Sequence, residues 1–537
     1  MSFFSWQRQT KSCSYKVLNK KKTHLGYQLI RSLKKNFFGV GLIDYGLPKP
    51  IRLKRGTLLV LALELAEEFK AQIPAKRVGV VLPPGVGGVL VNIGLILAGK
   101  IPVNLNFTIG RENVSFSMNK AEVSTLISAE AMKNKITDFP WTSDFFDIGN
   151  WLSKKRKQKW RLVWLHFRSL ICSPSVIFRG LDIQCDPNEE AALLFTSGSS
   201  GNPKGVVLSH DNLLSNCRQI QSVQLFASQS HLLANLPLFH SFGFTISMLY
   251  TMLTDLVMVC LPSPLDVKSS LEVIEKEKVE VLLGTPTFLR GYLRKARKEQ
   301  LQSLRFVVAG AEKTPPGFKE EWESVCPCDY LEGYGLTELS PAVSFNLPGL
   351  GTREKSVGKL LPEIKCKTIS TETSEELPAG EVGILCLNGP NLFSGYLDNP
   401  EANQAAFDHQ GWYITGDLAR IDSDGFLFIE GRLSRFSKIG GEMVPHARVE
   451  EEITKAFFPE KSQSLKCAVV GLPDESKGEK LILLSTDEIQ NRELRERLLG
   501  VGIPNLWIPK EIKLVDEIPM LASGKLDLKR MRDISLG

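Results

Sequence analysis

The chain comprises 537 residues, of which 43% are hydrophobic and 23% are charged, and its formal net charge is +7. This balance is that of a globular protein with enough residues for more than one domain, and it excludes fibrous and low-complexity classes. Ten cysteines occur without a CxxC pair, which argues against a cysteine-bound zinc site and predicts reduced thiols in a cytosolic protein.

The first 60 residues are strongly basic, with thirteen Lys or Arg against one acid, Asp44. Their charges are not followed by an apolar core and a cleavage site, so they do not predict a secretory signal. The uncharged run at 78–99 is long enough to span a bilayer. Because Pro83 and Pro84 interrupt it, however, it predicts a buried strand, a turn and a helix.

A second basic segment, residues 151–170, has seven Lys or Arg and no acid. Its Trp160, Trp164 and Phe167 are spaced i, i+4 and i+7, so they share one face of a predicted helix. Two interpretations stay open: the aromatics belong to the protein core, or the segment lies on an anionic membrane surface. Nucleic acid is not predicted as a partner, because no binding motif accompanies the charge.

Apolar strand-like runs such as RVGVVL, AALLFT, VEVLLG and LRFVVAG alternate with longer helix-like segments. This alternation predicts an α/β fold in which mainly parallel sheets are covered by helices. Near Tyr396 the pattern changes to short runs separated by turns, and DSDGFLFIEGR predicts an antiparallel hairpin. Its DSDG start resembles a calcium loop, but no bidentate glutamate follows at the required position, so a tight turn is favoured.

The glycine-rich segment FTSGSSGNPKGV, residues 195–206, follows the apolar run AALLF and predicts a phosphate-binding loop on a strand. Glycines let backbone N–H groups approach phosphate oxygens closely, and Ser and Thr hydroxyls add further donors. The segment is not a Walker loop, since Pro203 precedes Lys204 and Gly205 follows it.

Six further segments follow along the chain: LPLFHSFG, AGAEK, EGYGLTE, GWYITGDL, GRLSRFSKIGGEMV and IPMLASGKLD. With the glycine-rich loop, their content and order resemble the adenylate-forming superfamily, which includes acyl-CoA synthetases, luciferases and peptide-synthetase adenylation domains. The resemblance implies a large N-terminal domain over 1–433, with mainly parallel sheets, flanking helices and a small barrel-like subdomain. It also implies a small, mobile α+β domain over 434–537.

The resemblance assigns roles to individual side chains. It places four residues in catalysis: Lys525 as the mobile catalytic lysine, Thr337 on the phosphate, Glu338 as the magnesium ligand and His240 as the gate beside the acyl pocket. It gives Tyr334 the role of stacking on adenine, and it places Asp417 and Arg432 at the ribose. The full set that it implies around the nucleotide is Thr196, Ser197, Gly198, Ser199, Ser200, Gly201, Lys204, Gly310, Ala311, Glu312, Tyr334, Gly335, Asp417, Arg432, Lys438 and Gly441. ATP and Mg²⁺ are the implied cofactors.

These residue types suit the activation of a carboxylic acid. A carboxylate is a poor electrophile, because its charge repels nucleophiles and its leaving group would be oxide. Transfer of AMP gives a mixed anhydride with a good leaving group, but it brings two anions together. Magnesium on Glu338 and the ammonium group of Lys525 would neutralise that charge, while the loop at 196–205 holds the departing pyrophosphate.

In the resembled family the C-terminal domain then swings, so that the loop around Gly441 lines a channel for a phosphopantetheine thiol. The hinge corresponds to Ser434, where the family usually has Asp or Lys. Because a small residue does not restrict the backbone, we expect the rotation to be retained.

The segments PVNLNFT, AGAEK and PMLASGK together resemble acyl–acyl carrier protein synthetases, including the ligase half of bifunctional proteins that reacylate lysophosphatidylethanolamine. This resemblance implies a long-chain fatty acid as substrate and acyl carrier protein as the acceptor. The acyltransferase half is not predicted, because none of the seven histidines precedes an aspartate at the required spacing. Coenzyme A as acceptor is the alternative, and a non-catalytic module that keeps the fold is the alternative from a different class.

The resulting expectation is a cytoplasmic ligase. Contact of the basic segments 1–60 and 151–170 with the inner face of the cell membrane is an open hypothesis. An acidic carrier protein is the other partner that this charge would attract.

Overall fold

The computed structural model describes residues 24–537 except 158, 184–185, 197–201, 349–350, 459–464, 475 and 521–525. The strands within this part of the chain are β1 (Val40–Asp44), β2 (Ile51–Lys54), β3 (Arg77–Val80), β4 (Ile101–Asn104), β5 (Leu126–Ser128), β6 (Phe145–Asp147), β7 (Glu190–Thr196), β8 (Lys204–Ser209), β9 (His231–Ala234), β10 (Val257–Cys260), β11 (Val281–Gly284), β12 (Phe306–Ala309), β13 (Asp329–Gly335), β14 (Ala342–Phe345), β15 (Lys359–Leu360), β16 (Lys365–Ile369), β17 (Gly383–Asn388), β18 (Gly395–Tyr396), β19 (Tyr413–Ile421), β20 (Leu427–Arg432), β21 (Phe436–Ile439), β22 (Glu442–Pro445), β23 (Cys467–Asp474), β24 (Gly478–Ser485) and β25 (Glu511–Leu514).

The α-helices described are α1 (Leu25–Lys35), α2 (Arg55–Gln72), α3 (Val86–Leu97), α4 (Arg111–Lys120), α5 (Glu130–Lys135), α6 (Ile148–Lys157), α7 (Lys159–Ile171), α8 (Pro174–Arg179), α9 (His210–Ser222), α10 (Thr251–Leu253), α11 (Val267–Glu277), α12 (Pro286–Lys295), α13 (Phe318–Val325), α14 (Pro400–Ala406), α15 (His446–Phe457), α16 (Asn491–Gly500) and α17 (Leu528–Leu536). A π-helix, Phe242–Tyr250, leads directly into α10.

Two large mixed sheets form the framework of the N-terminal region. The first has the order β15-β14-β13-β12-β11-β9-β10-β1-β2, and its central pairs from β13 to β1 are parallel. The second has the order β18-β8-β7-β4-β3-β5-β6 and is parallel from β7 to β6. The central strands β10, β11 and β12 are buried along their whole length, as expected for strands covered by helices on both faces. The predicted α/β class is confirmed.

The uncharged run at 78–99 forms the buried strand β3, a turn, and helix α3, as predicted. Eleven of the twelve residues of α3 are buried, so the helix is apolar all round because it lies inside the protein. One hydrophobic cluster joins α3 to both large sheets through Val80 and Leu232. Among the described helices, none is long and apolar enough to cross a membrane.

A four-stranded antiparallel sheet, ordered β16-β17-β19-β20, follows the large sheets. The predicted hairpin is its β19–β20 pair, and the turn is held by the Asp422 carboxylate, which accepts N–H bonds from Asp424 and Phe426 at 3.0 and 2.9 Å. This is a tight turn rather than a calcium loop. The residues that are described contain no group of three or more His, Cys, Asp or Glu arranged to hold a metal ion.

The region after Phe436 has its own sheet and its own core. Strands β22-β21-β24-β23 form the sheet, with β25 parallel to β24, and two hydrophobic clusters there draw only on residues from 439 onward. The connection from β20 is a single 3₁₀ turn, Leu433–Arg435, in which Ser434 is exposed. A smaller C-terminal domain is therefore present.

Within the segment at 151–170, Trp151 is buried in the main hydrophobic cluster, but the three aromatics of the predicted face are not. The segment forms two helices, α6 and α7, and the side chains of Trp160, Trp164 and Phe167 are 87%, 59% and 63% exposed. The core interpretation of these three aromatics is wrong, because the opposite face of α7 is the one that packs on α2.

His24 and His210 form a buried pair where the N-termini of α1 and α9 meet. The His24 ring accepts the N–H of Gly26 at 3.0 Å, and its centroid lies 3.7 Å from that of His210. Burial, with the charge of Lys76, lowers the pKa of His24 to about 4. Burial, with the neighbouring His24 and Lys76, lowers the pKa of His210 to about 2. Both rings are therefore neutral in the folded protein near neutral pH.

This pair predicts a loss of stability in mild acid. The unfolded chain binds a proton at each histidine below its ordinary pKa of about 6.5, whereas the folded protein resists protonation until much lower pH. The free energy of unfolding is therefore unaffected by protonation of the two histidines well above pH 6.5, and it declines as the pH falls below about that value. From about pH 7 to about pH 5, we expect each histidine to reduce the free energy of unfolding by about 2 kcal/mol.

Urea unfolding at a series of pH values measures this effect. In the double variant His24→Asn/His210→Gln, where Asn keeps an acceptor at the helix N-cap, the free energy of unfolding should depend less on pH over this interval. The exposed His409→Gln is the matched control and should keep the wild-type slope. If the free energy of unfolding of the double variant depends on pH as steeply as that of the wild type, the two histidines are not the source of the acid sensitivity.

Candidate active site

A cavity of about 2600 Å³ lies between the N-terminal sheets, the antiparallel sheet and the C-terminal domain. Its lining includes most of the predicted site residues that the structure describes: Thr196, Lys204, His240, Gly310, Ala311, Glu312, Tyr334, Gly335, Thr337, Glu338, Asp417 and Arg432. Several of them follow the carboxyl ends of β7, β9, β12 and β13. In open α/β sheets this edge is where ligands bind, so the fold collects these segments at one place.

Six of the predicted site residues are not described by the structure. Ser197, Gly198, Ser199, Ser200 and Gly201, together with the predicted catalytic Lys525, are outside the described residues, and their roles stay predictions. Leu526, the first described residue after that lysine, lines the cavity.

Lys438 and Gly441 are described, but they do not line the cavity. The ammonium group of Lys438 instead forms a 2.8 Å ion pair with Glu372 of the antiparallel sheet region, and its backbone N–H donates to Glu479. Gly441 has φ +90°, with no atom within 4 Å of the position that a Cβ would occupy. In this conformation the β21–β22 hairpin lines the cavity only through its base, at Phe436 and Pro445, and not through Lys438 or Gly441.

Asp417 is the most constrained acid at the cavity. It lies opposite Arg432 in the β19–β20 ladder, and the Arg432 Nε lies 2.8 Å from one carboxylate oxygen. The hydroxyl of Tyr334, on β13, donates to the other oxygen. The side chain of Asp417 is 3% exposed while that of Arg432 is 52% exposed. The carboxylate is thus held from two sides, and the arginine extends toward the open cavity.

The charge states of this cluster follow from its environment. Burial raises the pKa of Tyr334 well above its usual value, and the adjacent Asp417 charge adds to that rise. Burial opposes the charge of Arg432, but Asp417 and the other acidic groups around it, Glu338 among them, together outweigh burial, so the pKa of Arg432 lies above its ordinary value. Tyr334 therefore stays a hydrogen-bond donor and Arg432 stays a cation over the physiological range.

Glu338 is 8% exposed and lies in a 3₁₀ turn immediately after β13. The hydroxyl of Tyr396 donates to its carboxylate at 2.8 Å, and the Tyr396 and Tyr413 hydroxyls lie 3.2 Å apart. Burial, followed by the charge of Glu338, raises the pKa of both tyrosines. The Lys204 ammonium lies 5.0 Å from the centroid of the Tyr396 ring. A carboxylate, two neutral phenols and a cation thus meet at the phosphate end of the predicted site.

These donors are compatible with Mg²⁺. Magnesium is commonly bound by one or two carboxylates, with substrate phosphates and water completing the octahedron. Glu338 supplies a carboxylate with one oxygen bonded to Tyr396, and the adjacent Thr337 hydroxyl lies 3.1 Å from the hydroxyl of Ser241. A site with one protein carboxylate fits a cation that arrives with a nucleotide rather than a resident structural metal.

Three of these neighbours have no counterpart in the sequence analysis: Ser241, Tyr396 as a partner of Glu338, and Tyr413. Tyr396 and Glu338 are 58 residues apart in sequence. No local pattern indicates the contact, since it arises when β18 pairs with β8 of the second large sheet. Sequence reasoning therefore named the predicted metal ligand but missed the tyrosine that donates to it.

The segment 309–313 lies against the loop at the start of α12. The Glu312 carboxylate accepts bonds from the backbone N–H and the hydroxyl of Thr287 at 3.1 and 2.7 Å. The backbone N–H of Gly310 donates to Gly284 O at 3.2 Å. Ala311 has φ +68°, a left-handed conformation uncommon for a non-glycine residue. These bonds fix the wall where the adenine was predicted.

Gly335 is required by close packing at the end of β13. A Cβ at this position would lie 2.3 Å from the carbonyl oxygen of Pro341, which is too short for any side chain. The glycine lets the chain turn directly from Tyr334 to Thr337 and Glu338. The predicted adenine and phosphate residues are thereby held within one short segment.

His240 lies in the loop between β9 and the π-helix, among apolar side chains. Its ring centroid is 4.9 Å from that of Phe239, which in turn packs edge-on against Phe107 at 5.2 Å. Phe242 and Ile246 of the π-helix line the same part of the cavity. The histidine therefore stands at the border between the polar end of the cavity and an apolar compartment, where the acyl pocket was predicted.

Two family models match the chain. One, described as AMP-binding enzyme, covers residues 61–397, and another, described as AMP-binding enzyme C-terminal domain, covers residues 463–525. Among curated relatives, the putative acyl-CoA synthetase YngI of Bacillus subtilis (strain 168) is 30% identical over 357 residues, which are 65% of this chain and 64% of YngI. The match thus spans slightly less than two thirds of YngI. The long-chain-fatty-acid–CoA ligase of the same strain is 27% identical over 503 residues, 88% of each chain.

The solved structure of ATP-bound MatB from Rhodopseudomonas palustris is similar in fold. It has a TM-score of 0.77, covers 95% of this chain and 98% of MatB, and is 23% identical. At this identity the likeness concerns the fold alone. It confirms the predicted architecture of a large α/β domain followed by a smaller C-terminal domain.

The constrained carboxylate predicts a large effect on nucleotide binding. Asp417→Asn would keep the shape of the site but remove the charge that holds Arg432 and accepts hydroxyl donors. A hydrogen bond to a charged group contributes about 1.5–3 kcal/mol, so we expect ATP affinity to fall by about 10- to 100-fold. Titration calorimetry with ATP measures the change. Asp422→Asn, at the other end of the same hairpin, is the control and should bind ATP as the wild type does; equal affinities for both variants would contradict the assignment.

Proposed function

This chain belongs to the AMP-binding enzyme family, and on that premise we propose that it joins a fatty acid to AMP with ATP and then forms a thioester. The observation that carries the proposal is the convergence of Asp417, Arg432, Glu338 and Lys204 on one cavity that also has an apolar compartment. An acid-activating enzyme needs both: cations and donors for a triphosphate, and an apolar wall for the acyl chain.

At the nucleotide end, Asp417 would accept the ribose hydroxyls, since its carboxylate is already oriented by Tyr334 and Arg432. The segment 309–313 and the ring of Tyr334 would enclose the adenine. Arg432, half exposed and permanently charged, would stabilise negative charge beside the ribose. Because these groups are oriented before the nucleotide arrives, little reorganisation remains for the binding step.

At the phosphate end, Glu338 and Thr337 would hold Mg²⁺, which supplies positive charge to the phosphates when bound. Lys204 would add a second positive charge at this end, since its ammonium group lies 5.0 Å from the centroid of the Tyr396 ring. We propose that the loop at 196–205 binds the departing pyrophosphate and that Lys525 brings an ammonium group to the reacting carboxylate and α-phosphate. Both proposals rest on the sequence motifs.

At the acyl end, we propose a long-chain fatty acid as the substrate. The support is the aromatic and aliphatic lining around Phe107, Phe239, Phe242 and Ile246, which suits a hydrocarbon chain. The printed name of one relative, a long-chain-fatty-acid–CoA ligase, agrees with this choice. His240 would separate the apolar compartment from the phosphates, so that only the carboxylate of the substrate reaches them.

The acceptor is proposed to be a phosphopantetheine thiol. The sequence resemblance favours acyl carrier protein, whereas the printed names of the relatives describe CoA synthetases and ligases and so favour coenzyme A. Both acceptors carry the same phosphopantetheine thiol arm. They differ in the part of the acceptor molecule that would remain outside the cavity. Acyl carrier protein is our first candidate and coenzyme A is the second.

We further propose that the units 1–433 and 434–537 rotate about Ser434 between the two half-reactions. Ser434 lies exposed in the 3₁₀ turn, where a change of backbone angles would disturb no core packing. The Lys438–Glu372 ion pair joins the two units in the present arrangement. Since both side chains are more than half exposed, such a pair contributes little and would not prevent rotation.

The adenylation step predicts a pyrophosphate signal that depends on Lys525. The purified chain should release pyrophosphate only when both ATP and a long-chain fatty acid are present. Lys525→Ala should lower this rate by at least about 100-fold, because a fixed cation at a phosphoryl-transfer centre contributes several kcal/mol. The exposed Lys529→Ala, four residues away, is the control. Wild-type protein that releases no pyrophosphate with any fatty acid would support the non-catalytic module instead.

The thiolation step predicts a separable defect at Gly441. Gly441→Val introduces a branched side chain where φ is +90°, in the loop proposed to line the thiol channel. We expect pyrophosphate release to stay near the wild-type rate while thioester yield falls by about 10-fold or more. Gly411→Val, another positive-φ glycine in an open turn, is the matched control.

Holo acyl carrier protein and coenzyme A should be offered in parallel, with thioester measured by mass spectrometry. A higher yield with coenzyme A would replace the first candidate by the second. An equal loss of both half-reactions in Gly441→Val would contradict the proposed channel.

A further inference from the structure

Helix α7 carries an unusual outward surface, which we name the aromatic ridge. Its members are all large, apolar and 45–87% exposed: Trp160, Val163, Trp164, Phe167, Leu170 and Ile171. They recur at i, i+3, i+4 and i+7, so they form one continuous stripe along the helix. Contiguous exposed apolar surface of this kind marks a site of interaction, whereas single exposed apolar residues do not.

The orientation of the ridge toward solvent is fixed, because the other side of α7 packs on α2. Leu165 is buried, the ring of His166 lies 3.2 Å from the Thr57 hydroxyl of α2, and Arg161 Nε donates to Glu64 at 3.0 Å. At about 100° of rotation per residue, Leu165 lies roughly opposite the centre of the ridge, with Arg161 and His166 on either side of it. The helix therefore has two distinct faces, one that packs on α2 and one that is apolar and faces solvent.

The charge around the ridge is positive, although less so than the sequence alone indicates. Lys155 lies 2.8 Å from Glu64, and Arg161 contacts Glu64 and Glu67, so these two cations are neutralised within the protein. The side chains at 156–159 lie outside the described residues, so the contribution of this part of the segment to the surface charge stays a prediction.

Other cations do remain exposed beside the ridge. Arg168 lies with its guanidinium carbon 5.7 Å from the Trp164 ring centroid, and Arg179 is exposed on α8. Lys34 of α1 donates to Leu170 O at 3.0 Å, which brings the end of α1 and its exposed Lys35 to the C-terminal end of α7. The sequence between residues 148 and 181 contains no acid. The surroundings of the ridge therefore attract anions.

We propose that α7 is a membrane-docking helix that lies in the plane of an anionic bilayer with the aromatic ridge inserted among the headgroups. Tryptophan and phenylalanine on one face of a cationic helix suit the interface between lipid headgroups and acyl chains. Arginine and lysine beside the stripe match the anionic lipid phosphates. A helix of thirteen residues is too short to span the bilayer, so insertion is parallel to the surface.

An anionic bilayer fits the aromatic ridge better than another protein does. An acidic carrier protein would match the cations but would leave six large apolar side chains in water. A second copy of the chain would cover the ridge but would bring two cationic surfaces together. The bilayer satisfies both features at once. The inference depends on the geometry of α7 and does not depend on the ligase activity.

Vesicle binding by the full-length protein, without ATP, tests the proposal. The ridge variant is Trp160→Ser/Trp164→Ser/Phe167→Ser, and its matched control is Leu499→Ser/Val501→Ser/Leu514→Ser, three exposed apolar residues of the C-terminal domain. We expect wild type and control to co-sediment with vesicles of phosphatidylcholine and phosphatidylglycerol. The ridge variant should bind at least about 10-fold more weakly. Vesicles of phosphatidylcholine alone should bind the wild type less than the mixed vesicles do.

Three further readouts make the outcome decisive. Brominated lipids should quench tryptophan fluorescence of the wild type but not of a Trp160→Phe/Trp164→Phe variant that still binds. Thermal unfolding and fatty-acid-dependent pyrophosphate release should be unchanged in the ridge variant, which separates lost docking from lost folding or lost catalysis. Sedimentation equilibrium should show the same mass for wild type and ridge variant.

The proposal is overturned if the ridge variant binds mixed vesicles as tightly as the wild type, or if the wild type does not bind them. A wild-type dimer that the ridge variant abolishes, in the absence of vesicle binding, would assign the ridge to self-association. If the wild type binds an acidic carrier protein, the ridge variant does not, and the wild type does not bind vesicles, the ridge is a binding site for that carrier protein.

Discussion

The two-sided hold on Asp417 is the interaction on which the candidate site depends. Its carboxylate joins β13 of the large sheet, through the Tyr334 hydroxyl, to β20 of the antiparallel sheet, through Arg432. A buried carboxylate without such partners would be strongly destabilising, so the three residues must occur together. Because Tyr334 lies on a different sheet from Asp417 and Arg432, the contact also fixes how the antiparallel sheet lies beside the cavity. The position of the site is thus determined by an electrostatic requirement rather than by apolar packing alone.

The second acid of the cavity is stabilised differently. Glu338 is buried beside two tyrosines whose raised pKa values keep them neutral, so they can donate or share protons without adding charge. Asp417 is paired with the full cation of Arg432, whereas Glu338 is bound by the neutral hydroxyl of Tyr396. One carboxylate is therefore charge-compensated within the protein, and the other retains capacity for a positive ligand. This difference is consistent with a ribose acceptor at the first and a metal ligand at the second.

The orientation of helix α7 on the protein surface depends on different contacts. Helix α7 uses its short polar and apolar inward face to pack on α2, and it exposes the larger aromatic stripe. Periodicity alone does not reveal which of two opposite apolar faces is buried, so the spacing of Trp160, Trp164 and Phe167 was compatible with either arrangement. The ion pairs of Lys155 and Arg161 with Glu64 settle the orientation, and those depend on a residue nearly 100 positions away.

Local patterns were sufficient for much of the fold. The prolines in the 78–99 run, the alternation of strands and helices, and the DSDG turn each predicted their elements correctly. The order of the motifs along the chain predicted the family. What depends on distant segments could not be predicted in this way: the tyrosines beside Glu338, the contact of Tyr334 with Asp417, and the position of Lys438 away from the cavity. The sequence by itself determined which chemical groups are available and in what order, because propensity and motif chemistry are local. Only the tertiary structure decided which of those groups meet, which are neutralised and which face solvent, because pairing and burial are set by contacts between segments far apart in the chain.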